Sequence, residues 1–93
     1  MTVYTVKRAT SSSADDFIMC SSRRKAIYAI LGDADILAIS WNNGENLIEK
    51  DAMSLNNWVN HIDELARGAI DCDDYPLVFI AQHRSYVINM NVI

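Results

Sequence analysis

The sequence predicts an α+β domain: an antiparallel sheet with two helices packed on one face, in the order ββα-ββα-ββ. Three observations lead there. Short segments with period-two alternation, or rich in β-branched and aromatic residues, punctuate the chain. Two other segments place their apolar residues at helical spacing. The links between neighbouring strands are short, which favours antiparallel pairing. With 93 residues, 51% of them hydrophobic, residues 1–93 are expected to form one compact domain whose two-layer core needs neither metal nor disulfide.

The elements follow in order. Thr2 to Arg8 puts Val3, Thr5 and Lys7 on one face and Tyr4, Val6 and Arg8 on the other, the pattern of a strand. Ala9 to Asp16, with serines at Ser11, Ser12 and Ser13, reads as a loop, and Phe17 to Cys20 as a second strand that closes a hairpin. Ser21 or Ser22 can cap a helix whose Ala26, Ile27, Ile30 and Leu31 share a face, and Gly32 is expected to give it a left-handed stop.

Ile36 to Trp41 and Asn46 to Lys50 flank Asn43-Gly44, the pair that tolerates positive φ in a tight hairpin turn. The clearest helix comes next. Leu55, Trp58, Val59, Ile62, Leu65, Ala66 and Ala69 line its apolar side, leaving Asn56, Asn60, His61, Asp63, Glu64 and Arg67 outside. Ser54 is its N-cap, Met53 can pack back on Trp58 as a hydrophobic staple, and Gly68 offers its stop. Leu77 to Gln82 and Tyr86 to Ile93 form the last two strands around His83-Arg84-Ser85. A final strand this apolar is hazardous if bare, so it is expected either inside the sheet or paired across a homodimer.

Composition excludes several classes. The longest wholly apolar runs, Ala26 to Leu31 and Pro76 to Ala81, fall far short of the ~20 residues that cross a bilayer, so no membrane partner is expected. The first residues alternate like a strand and lack the features of a secretory signal, and Cys20 and Cys72 have no disulfide or metal spacing. A cytoplasmic location is therefore expected. No Gly-rich cradle, Walker or dinucleotide pattern is present, and no cofactor is expected.

Catalytic candidates are sparse. A nucleophile needs a base oriented by a third group, and the histidines, His61 and His83, stand in no motif and read as solvated. An enzyme assembled from Cys20, His83 and an aspartate is a further possibility. Metal ligands could come from Asp33 with Asp35, His61 with Asp63 and Glu64, or Asp71 with Asp73 and Asp74, but none has a ligand spacing. No metal and no catalytic residue is expected.

Charge is the uneven feature. Residues 1–25 carry a net +3 and residues 26–93 a net −7. Arg23, Arg24 and Lys25 fall in the first turn of the first helix, where the dipole disfavours cations; with Lys7, Arg8 and Arg84 they could form an anion-binding corner. Opposed to them, Asp63, Glu64, Asp71, Asp73 and Asp74 form an acidic patch that can steer a basic protein surface toward it. A solvated surface is the competing reading of both sets.

Small size, acidic charge and missing cofactor motifs are shared by phage inhibitors of host defence, toxin-immunity proteins and small adaptors. The expected function is accordingly non-enzymatic: a phage or mobile-element inhibitor or regulator of a nucleic-acid-processing complex, of anti-CRISPR, anti-restriction or immunity type, that occludes a basic surface of its target protein. The alternative is a nucleic-acid or phosphate-ligand module that uses the basic residues and loses affinity steeply with salt.

Overall fold

A computed structural model describes residues 1–42, 44–67 and 75–93. The chain runs β1 (Thr2–Thr10), β2 (Ala14–Cys20), α1 (Arg23–Asp33), β3 (Ile36–Trp41), β4 (Asn46–Glu49), a 3-10 turn (Lys50–Ala52), α2 (Leu55–Arg67), β5 (Leu77–Ala81) and β6 (Arg84–Val92). The strands form one antiparallel sheet in the order β2-β1-β6-β5-β3-β4, with the element order that the sequence predicts.

The first hairpin is tighter than its serines suggest. The Thr10 backbone N–H donates to the Ser13 carbonyl at 2.7 Å and the Thr10 hydroxyl to the same oxygen at 3.2 Å. The loop therefore shrinks to Ser11–Ser13, and Asp15 and Asp16 join β2 opposite Arg8 and Lys7, where opposite charges support cross-strand pairing. At the other hairpin Gly44 takes a φ of 84°, as expected, and Asn42 also takes a positive one, 56°; Asn43, the other member of the expected pair, lies outside the described residues.

Both helices have the caps the sequence implies. The Ser22 hydroxyl accepts from the Lys25 N–H at 3.2 Å and the Ser54 hydroxyl from the Asn57 N–H at 3.3 Å. Gly32, by contrast, is not the stop of α1. The helix continues to Asp33 and ends at Ala34, whose backbone is extended and whose N–H donates to the Ile30 carbonyl. Met53 packs on the core to which Trp58 belongs, as a staple would.

One face of the sheet meets the helices. Tyr4, Val6, Cys20, Ile36, Ile39, Leu77, Phe79, Ala81, Tyr86 and Ile88 all point there and join Ala26, Ile27 and Ile30 of α1 and Trp58, Ile62, Leu65 and Ala66 of α2. Strict alternation would send Ile36 and Ile39 to opposite faces. An irregularity at Leu37, between the pairs Ile36–Ala81 and Ala38–Ile80, restores both to the core. A second one at Phe17 does the same for β2; such bulges add one residue and flip the alternation that follows.

β6 lies inside the sheet, between β1 and β5. Of the two arrangements expected for this apolar strand, the inner one is found, and pairing of β6 across a dimer is not needed to cover it. No described helix is long and apolar enough to cross a membrane.

Candidate functional site

Of the acidic patch, Asp63 and Glu64 are among the described residues, and Asp71, Asp73 and Asp74 lie outside them. Both described acids sit late in α2. Asp63 accepts from the Tyr28 hydroxyl of α1 at 3.1 Å and from Arg67, one turn on, at 3.3 Å. Glu64 is exposed and, among the described residues, has no ion pair. With Asn60 and Arg67 the two carboxylates line a shallow depression of about 430 Å³.

A second concavity adjoins it. Tyr28 and Leu31 of α1 and Trp58, Val59 and Ile62 of α2 enclose an apolar groove of about 200 Å³ that ends at Asp63. The helical spacing places Val59 and Leu55 with the core-facing residues, yet they are 54% and 67% exposed. Val59 sits at the edge of the apolar arc, on the groove between α2 and α1, and Leu55 is the first residue of the helix. Helical periodicity finds an apolar side but not its width, so sequence reasoning missed these two as surface residues.

The basic residues do not form one corner. Neighbours in a strand point to opposite faces: Lys7 is on the sheet face away from the helices, while Arg8 is on the helix face. Arg8 donates to Asp15 at 3.1 Å and to Asp33 at 3.3 Å and lies 4.9 Å over the Phe17 ring. Arg23, Arg24 and Lys25 are at the opposite end of α1, an 11-residue helix and so ~16 Å long. Arg24 lies 5.5 Å over the Tyr28 ring, and the Arg23 Nε is buried with no hydrogen-bond partner among the described residues. Arg84 donates to Asp33 at 3.0 Å. Two cations of the anion-binding alternative are thus already paired with a carboxylate, Lys7 is on the other face of the sheet, and Arg23, Arg24 and Lys25 stay together at the start of α1.

Asp33 gathers the end of α1. Besides Arg8 and Arg84 it accepts a short hydrogen bond from the hydroxyl of the fully buried Tyr86, whose ring meets Phe17 edge-on at 5.7 Å. The Tyr86 hydroxyl, aided by Arg84 and Arg8 and opposed by burial, holds the Asp33 carboxyl below its ordinary range. Burial, and then the neighbouring carboxylate, push the Tyr86 hydroxyl up. A carboxylate at a helix C-terminus opposes the dipole, and these three donors offset that. The cluster ties α1 to β1 and β6.

The remaining chemistry-bearing residues are brought together only in part. Cys20 pairs with Tyr4 at one end of β1 and His83 follows β5 beside the Thr10–Arg84 pair at the other, so six residues of extended strand, roughly 20 Å, separate them. That removes the Cys20–His83 triad. Asp35 is paired with Lys50 at 3.1 Å and, with Asp33, His83 and Arg84, lines an open depression of about 190 Å³ beside the end of α1. His61 is not a solvated histidine: it is half-buried between Trp41 and Trp58, at ring distances of 6.0 and 6.5 Å, with its Nε2 buried and unpartnered among the described residues. The described residues contain no group of three or more His, Cys, Asp or Glu side chains placed to hold a metal. No known protein family, curated protein or solved structure matches the chain.

Proposed function

We propose that the protein works without catalysis, by binding another protein through the outer flank of α2, as an inhibitor or regulator. The observation that carries this reading is the junction at Asp63. On one side of it lies an apolar groove with Val59 as its exposed wall; on the other lies a depression bearing Glu64. A partner that inserts an apolar side chain into the groove and sets a lysine or arginine against the two carboxylates satisfies both. Apolar contact supplies affinity there, and the acids supply orientation and a fast encounter that weakens with salt.

A basic surface is the electrostatic footprint of proteins that handle nucleic acid, so the reading extends to a target in a nucleic-acid-processing complex, with this chain as an inhibitor of phage or mobile-element type. The separation of Lys7, Arg8 and Arg84 from the Arg23–Lys25 cluster at the start of α1, and the engagement of Arg8 and Arg84 by Asp33, weigh against the nucleic-acid-binding alternative.

Affinity capture from host lysate, with and without nuclease, tests the reading when run beside a Val59→Ser, Asp63→Lys, Glu64→Lys variant. The expected result is a nuclease-resistant protein partner at defined stoichiometry, lost with the variant. Recovery that disappears with nuclease, or that the variant leaves intact, overturns it.

A further inference from the structure

The sheet face turned away from α1 and α2 has no described element over it. Cross-strand pairing lays one row straight across that face: Asp16, Lys7, Val87, Val78, Ser40 and Leu47, one residue from each strand in sheet order. The two central strands contribute the valines, and in the next row they contribute Ser85 and Ile80, again directly paired. Charge is confined to the outer strands, with Lys7 and Asp16 toward one edge and Glu49, paired with Ala38, on the other.

The central valines of this row can meet those of a second copy, with opposite charges brought near one another at the rim, and we infer that the face is an interface between two copies of the chain. A two-fold axis parallel to the strands, passing between β6 and β5, lays each strand over its mirror position in the sheet order: β6 over β5, β1 over β3, β2 over β4. Val87 then meets the partner's Val78, and Val78 the partner's Val87, so four valines pack on the axis. Ser85 meets the partner's Ile80 in the same reciprocal way. Lys7 lies over β3 of the second copy and reaches toward the partner's Glu49 on the adjoining strand, twice by symmetry. Such an isologous contact needs an apolar centre and a polar rim, and this face has both.

The size is adequate. With strands of four to nine residues, a rise of ~3.4 Å and a spacing of ~4.8 Å, the sheet offers roughly 650 Å² per copy. Two copies bury about 1,300 Å², above the ~1,000 Å² that a specific interface needs. The molecule is 24 Å deep in its shortest dimension, the depth of a sheet with one helical layer; the dimer closes it into a four-layer helix–sheet–sheet–helix sandwich with the sheets about 10 Å apart.

Sedimentation equilibrium of the intact protein from about 1 to 100 µM, a range that brackets micromolar self-association, tests the inference. The expected mass at the upper end is twice the 10.5 kDa of the chain. Val78→Lys and Val87→Glu each place like charges on the axis, so each variant alone is expected to remain monomeric with an unchanged circular dichroism spectrum. Mixed in equal amounts, the two regain the doubled mass. A monomeric wild type across the range, or a dimer that both variants leave intact, overturns the inference. So does a dimer abolished by Val59→Ser on α2, which places the contact on the other side of the molecule. Should one variant lose its fold, the other alone still decides whether the valine row holds the dimer.

Discussion

The hydroxyl of Tyr86, on β6, donates to the carboxylate of Asp33, the last residue of α1, across 53 residues of sequence. The bond joins a helix end to the middle of the sheet, in a place where apolar packing alone would leave the polar end of a buried tyrosine unsatisfied. Arg84 and Arg8 complete the carboxylate's partners.

Removing either member of this pair is expected to cost stability. Tyr86→Phe keeps the ring in the core and loses a bond to a charged acceptor, for about 1–2 kcal/mol, while Asp33→Ala also leaves the buried hydroxyl unpaired, for about 2–3 kcal/mol. Urea unfolding of both and of the double variant checks this. Because the residues act on each other, the double variant should lose less than the sum.

Acid should dissolve the same contribution. The Asp33 carboxyl titrates lower in the folded protein than in the unfolded chain, so its stabilisation is complete above the ordinary carboxylate range, near pH 3.9. It is lost as pH falls through the folded value. The difference in stability between wild type and Asp33→Asn is expected to be constant above about pH 5 and to shrink steadily below about pH 4. At the alkaline end the sign reverses for Tyr86, whose hydroxyl is held up: stability falls as pH rises past about 10, and Tyr86→Phe should flatten that limb.

Backbone conformation sets the cost at the β3–β4 turn. An alanine Cβ at Gly44 would meet nothing within 4 Å, but the φ of 84° remains. Gly44→Ala is expected to lower stability by about 1 kcal/mol from the left-handed conformation alone. Thermal unfolding measures it, and an unchanged midpoint would count against the turn geometry described.

The two sides of α2 should respond very differently to truncation. Trp58 is buried within the core, and Trp58→Ala is expected to cost about 3–5 kcal/mol. Val59, its neighbour, is half-exposed on the groove wall, and Val59→Ser should stay within about 0.5 kcal/mol. Equal losses at the two positions would mean that Val59 belongs to the core.

Much of this architecture is legible in the sequence because local signals agree with one another. Ser22 and Ser54 cap the helices they precede, the alternation in β1 sorts Val6 to the core and Lys7 away from it, and Asn43-Gly44 marks its hairpin. The same alternation already separates Lys7 from Arg8, so a common basic corner was improbable on that ground alone. What stays hidden is non-local. Nothing near Leu37 or Phe17 announces a bulge, since a bulge answers to the register of the partner strand. The partners of Asp33 come from β1 and β6, beyond any local window. The exposure of Val59 depends on how closely α1 approaches, and that of Leu55 on its place as the first residue of α2, neither of which the amphipathic pattern of α2 encodes. Asp71, Asp73 and Asp74 lie outside the described residues, and Asp63 and Glu64 are the acids of the patch that the structure describes.

The central place of β6 bears on how the protein is made. β1 pairs along its whole length with β6, so during synthesis on the ribosome it must wait until residues 84–92 have emerged from the exit tunnel. Until then it has only the β2 hairpin, and isolated hairpins are marginal in water. Closing a loop that long adds little free energy relative to a shorter one, but contacts so distant in sequence slow the search for the native sheet. The nascent chain therefore carries an unmatched strand edge until β6 emerges, and a chaperone that shields β1 over that interval should raise the yield of folded protein.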